Sequence, residues 1–62
     1  MDKQATAVVH DGGRYTTVWD DGTETHDDGQ LSTAVRHAIH AGLRLDRIEA
    51  GGRVRFGQNG KV

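Results

Sequence analysis

Cysteine and proline are both missing from these 62 residues. Without cysteine there is no disulfide to stiffen so short a chain and no thiolate zinc site. Large apolar groups are scarce. Hydrophobic residues make up 34 % of the chain, and Trp19, Tyr15 and Phe56 are the whole aromatic complement. A fully buried large side chain contributes roughly 1.5–3 kcal/mol, against an ordering cost of roughly 1.5 kcal/mol per residue. The two nearly cancel, so the chain is expected to be marginal alone and to lean on self-association, a partner or a histidine-bound metal. No apolar run approaches the ~18 residues of a membrane span and no secretory leader is visible. The expectation is a soluble cytoplasmic protein without membrane association.

What is present is glycine, charge and β-branched side chains. Nine glycines punctuate the sequence. The composition, rich in Asp, Arg, Gly, Ala, Val and Thr, suits a GC-rich bacterial or phage genome. Charge is uneven along the chain: residues 1–30 hold seven acids against Lys3 and Arg14, and residues 31–62 hold six bases against Asp46 and Glu49. Such polarity speaks to partners or to mutual neutralisation of the halves, and not to fold.

Leu31 to Gly42 is the one helical stretch. Leu31, Ala34, Val35, Ala38, Ile39 and Gly42 recur at helical spacing as an apolar stripe, leaving Thr33, Arg36, His37 and His40 away from it. Asp28 or Ser32 can cap its start, with Asp27 and Asp28 complementing the dipole. Gly42 followed by Leu43 suits its end.

Strands surround it. Residues 5–10 are rich in β-branched side chains, residues 14–19 in β-branched and aromatic ones, and the two are joined by Asp11-Gly12-Gly13. Tyr15, Thr17 and Trp19 share a face, and burying Tyr15 and Trp19 against the helix uses the chain's largest groups. Asp20-Asp21-Gly22 closes a second hairpin onto a polar edge strand over 23–26. Residues 44–50 and 53–56 form a third hairpin around Ala50-Gly51-Gly52. A three-residue loop sets Ile48 opposite Val54 and Glu49 opposite Arg53, with Phe56 joining Ile48 and Val54 inside. The fold class is therefore α+β: a small antiparallel sheet in β-β-β-α-β-β order with one helix packed on one face, spanning 5–56 as a single domain, with 1–4 and 57–62 as loose termini.

Motifs for chemistry are thin. His37 and His40 have metal-compatible spacing, with His10 and His26 beside acidic turns, but no HExxH pattern accompanies them. From Asp20, the third position of a calcium loop would be Gly22 and the twelfth Leu31, so that pattern fails. Neither glycine pair leads into a phosphate-binding helix with Lys and Ser/Thr. Ser32 lies in no nucleophile motif. No catalytic residue and no cofactor is assigned, and the chain is expected not to be an enzyme.

Two charged sets remain. Asp20, Asp21, Glu24, Asp27 and Asp28 cluster at hairpin ends and can engage a basic groove on another protein. Arg36, Arg44, Arg47, Arg53 and Arg55 offer bidentate phosphate recognition. The first expectation is a non-enzymatic protein-binding module, a mobile-element inhibitor or adaptor acting through charged hairpin surfaces, with a homodimer as the route to a fuller core. The alternative is a nucleic-acid-binding domain using the arginines. A histidine metal domain ranks third.

Overall fold

The structure, a computed structural model of the chain, describes residues 3–58. The first of the described strands lies at the middle of the sheet. Strand β1 (Ala5–Asp11) pairs with β2 (Arg14–Trp19) on one side and β5 (Val54–Gly57) on the other. Outside these lie β3 (Glu24–Asp28) and β4 (Arg44–Ile48), giving the order β3-β2-β1-β5-β4 with every pair antiparallel. Helix α1 (Leu31–His40) crosses one face. This is the α+β architecture that the alternation and turn residues imply. Of the termini expected to be loose, 1–4 and 57–62, residues 1–2 and 59–62 lie outside the described part, while Lys3 donates to the Thr23 hydroxyl and the Gln4 carbonyl accepts from the Asp20 N–H. Gly57 is in strand, opposite Ala7 and Arg44.

Period-two alternation sorts the strands into an inner face under the helix and an open face. Inner positions on β1 are Ala5, Val8 and His10. Tyr15, Thr17 and Trp19 oppose them on or beside β2, and Phe56 and Val54 on β5. Val8 is fully buried and Thr17 is 1 % exposed. Tyr15 and Trp19 are half-buried against the core, as their size requires. Thr6 sits in a bulge between Ala5 and Ala7, which keeps Ala5 and Val8 on one face.

The helix touches the sheet with one flank only. Ala34 and Ala38 are buried, while Leu31 and Ile39 of the same stripe are 42 % and 65 % exposed. Small alanines let the helix settle over β1. The larger residues of the stripe are turned towards β5 and β4, where the sheet extends past the helix. His37, expected on the solvent side, lies instead at the junction with β2. Its Nε2 is 3.1 Å from Thr17 Oγ1 and its ring is 5.6 Å from that of Tyr15.

Both helix ends depart from or refine the expected caps. The N-cap is Gln30, and no side chain caps it. Asp28 cannot serve because β3 continues through Asp27 and Asp28, which the sequence placed in a turn. Backbone bonds take over: the Thr33 and Ala34 N–H groups donate to the Gln30 carbonyl. At the other end Gly42 adopts φ 79°, with Leu43 N–H donating to Ala38 O and Gly42 N–H to Ile39 O, both 2.9 Å. This is the Schellman arrangement. It turns Leu43 inward, where it is 2 % exposed and in the core.

Candidate functional site

The two charged sets occupy different parts of the sheet. Asp20 and Asp21 form the β2–β3 turn, and Glu24, Asp27 and Asp28 lie along β3, an edge strand exposed at every residue. The register splits them by face. Glu24 and Asp28 oppose Val18 and Arg14 on the open face, and Asp27 opposes Tyr15 on the inner face. Asp28 is bound to Arg14, at 3.5 Å. Asp21 accepts from the Thr23 hydroxyl at 2.6 Å and from the Thr23 N–H at 3.0 Å. These bonds, the hydroxyl first, hold its carboxyl below the ordinary aspartate range, with Lys3 adding a smaller pull. Lys3 itself donates to the Thr23 hydroxyl and lies 5.2 Å over the Trp19 ring.

Four of the five arginines, Arg44, Arg47, Arg53 and Arg55, belong to the β4–β5 half of the sheet, and Arg36 is on the helix. Arg47 and Arg55 are paired across β4 and β5, and Arg53 follows the hairpin loop. Each has an acidic neighbour: Arg47–Glu49 at 3.1 Å, Arg53–Asp11 at 3.3 Å and Arg55–Asp46 at 3.5 Å. The expected Glu49–Arg53 pair is therefore not the one formed. Arg53 lies between two strands, and Asp11 of β1 takes its guanidinium. Glu49 and Arg53 are joined only through their backbone, N–H to carbonyl, at 2.6 Å. Arg36 on the helix and Arg44 at the start of β4 are exposed and have no ion pair among the described residues. The five arginines do not converge on one patch: Arg53 and Arg55 line an open concavity on the open face with Asp11, Arg14 and Glu24. Its charge alternates in sign, and exposed pairs of this kind contribute only about 0–1 kcal/mol each.

The histidines are dispersed. His10, beside the acidic Asp11 turn, is 9 % exposed and its Nε2–H donates to the Gly29 carbonyl at 3.1 Å. His26 lies 2.9 Å through Nδ1 from Thr16 Oγ1 on the open face. His37 turns to the sheet and His40 is exposed, so their spacing does not bring them together. Among the described residues no group of three His, Asp or Glu side chains could hold a metal ion.

One surface was not anticipated from the sequence. An apolar groove of about 560 Å³ runs between the exposed flank of α1 and the β4–β5 hairpin. Leu31 and Ile39 form one wall, Leu45 and Ile48 the other, and Phe56 part of the floor. Ile48, expected inside with Val54 and Phe56, is 68 % exposed even though it does oppose Val54. The register is as expected, but the helix lies too far across the sheet to cover it. The signal in the sequence was the count of large residues in the stripe, more than one narrow contact line needs. No family model, no curated protein and no solved structure matches the chain. Among the described residues no helix is long and apolar enough to cross a membrane.

Proposed function

We propose that the chain is a non-enzymatic protein-binding module, and that the acidic edge made by β3 and the β2–β3 turn engages a basic surface of another protein. One observation carries this reading. Arg14, Arg47, Arg53 and Arg55 each have an acidic side chain within 3.5 Å. Asp20, Asp21, Glu24 and Asp27 have no ion-pair partner among the described residues. Arg47, Arg53 and Arg55 are thus engaged by acidic side chains, and four carboxylates of the acidic edge keep their field. That field accelerates encounter with a cationic surface. It suits a mobile-element inhibitor or adaptor that occupies a groove built for nucleic acid, acting in the cytoplasm. The pairing of Arg47, Arg53 and Arg55 weighs against direct nucleic-acid binding by this chain. The module is further proposed to be a homodimer, because Leu31, Ile39, Leu45 and Ile48 lie outside the core.

The test is capture from a lysate of the native host on the immobilised chain at ~50 mM and ~500 mM salt. A specific protein is expected at low salt, lost at high salt and lost with D20N/D21N/E24Q/D27N. Retention of nucleic acid alone, or equal capture by the neutralised variant, overturns the reading.

A further inference from the structure

Strand β4 is an edge of the sheet. With the residue after it, it reads Arg44-Leu45-Asp46-Arg47-Ile48-Glu49. Laid antiparallel to itself about a point between Asp46 and Arg47, this segment opposes Arg44 to Glu49, Leu45 to Ile48 and Asp46 to Arg47. Every charge meets its opposite, and each aliphatic side chain meets an aliphatic one.

Facing is the harder condition. Two copies related by a twofold axis normal to the sheet keep their faces, so opposed residues must point the same way. In a regular strand Leu45 and Ile48 would point to opposite faces. The bulge between Leu45 and Arg47 removes that obstacle. Leu45 opposes Phe56 and Ile48 opposes Val54, so both lie on the helix side. Arg47 opposes Arg55, and the Asp46 carboxylate reaches Arg55 at 3.5 Å, so both central charges lie on the open side. The Arg47–Glu49 pair puts Glu49 there too. The pattern of faces is thus symmetric about the same point as the pattern of charges.

We infer that a second copy of this chain pairs along β4 in this register. The inference rests on the homodimer reading above and adds its surface, axis and partner residues. On the helix side, Leu45 and Ile48 meet the partner's Ile48 and the partner's Leu45, and the two apolar grooves close towards each other with Leu31 and Ile39 at their rims. On the open side, Asp46 meets the partner's Arg47, and this contact joins the Arg55–Asp46 pair of one copy to the Arg47–Glu49 pair of the other. A bulged and charged edge ordinarily repels foreign strands. Here the same features admit one sequence, so they provide specificity as well as protection.

Sedimentation equilibrium on the intact chain tests the inference, with twice the chain mass of 6.7 kDa expected. Asp46→Arg opposes cations across the axis and Arg47→Asp opposes acids, so each variant alone is expected to dissociate at least ~10-fold more readily. Mixed in equal amounts the two variants are complementary, and dimer mass returns, which also shows that both are folded. A wild-type mass of one chain at ~1 mM overturns the homodimer reading itself. A wild-type dimer that neither variant weakens overturns the β4 register alone. So do two monomeric variants that fail to associate when mixed.

Discussion

The hydroxyl of Thr17 and the Nε2 of His37 lie 3.1 Å apart, joining the centre of β2 to the underside of the helix. Thr17 is 1 % exposed, so its hydroxyl has no other outlet. His37 is only half-buried and can turn to water if the bond is lost. Thr17→Val is therefore expected to destabilise the fold by about 1 kcal/mol, the net value of one such bond, with little cost from the isosteric methyl. The urea midpoint reads the change. A variant as stable as wild type would mean that the Thr17–His37 bond adds no net stability to the packing of the helix on β2.

Gly29 is held to glycine by its neighbours. A Cβ there would lie 2.9 Å from Tyr15 Cε1 and 3.3 Å from Cδ1. Its carbonyl also receives the His10 bond. Gly29→Ala is expected to displace the Tyr15 ring and cost about 1–3 kcal/mol, with NMR shifts at Tyr15, His10 and His37. Gly42→Ala is the contrasting case: space there is open, but φ 79° disfavours a Cβ, so a loss of about 1–2 kcal/mol is expected with those ring signals unmoved. Similar ring shifts in both variants would refute the steric account of Gly29.

The Asp21 carboxyl supplies a pH signature. Its folded value is lowered, chiefly by the Thr23 hydroxyl. A lowered folded value stabilises the fold above the unfolded aspartate value, and the contribution disappears as pH falls through the folded one. Carboxyl-carbon NMR is expected to place the Asp21 midpoint below that of an unfolded aspartate, and Thr23→Val to move it upwards. An identical midpoint in the two proteins would assign the shift to some other source.

The elements and their order were legible because local physics decides them. The β-branched runs, the glycine turns and the 3.6-residue stripe each act over a few neighbours, and the Ile48–Val54 register follows from loop length. Tyr15 and Trp19 were placed on the helix side by size alone. Other features depend on contacts distant in sequence. A stripe shows that a helix has an apolar side, but not which flank reaches a five-stranded sheet, so Ile39 and Ile48 were assigned to a core they do not enter. His10 shares a face with Val8, and burial follows only once β1 is known to be central. The hairpin alone pairs Arg53 with Glu49, and only the neighbouring β1 brings in Asp11, which takes the guanidinium. The bulge at Asp46 left no mark that alternation could show. Of the candidate site, the acidic residues are neighbours in sequence, but their division between two faces of β3 follows only from its register with β2, and the groove needs the tertiary placement of α1.

The central position of β1 also dictates an order of events during synthesis. Its first neighbour, β2, emerges directly after it, but its second, β5, is the last of the described strands to be made, and His10 waits for Val54. Until then the backbone of Ala7 to His10 is an unsatisfied edge, and the helix has only part of the sheet to rest on. A nascent chain that lacks β5 therefore leaves its central strand open to intermolecular pairing, and completion of the β4–β5 hairpin guards against aggregation.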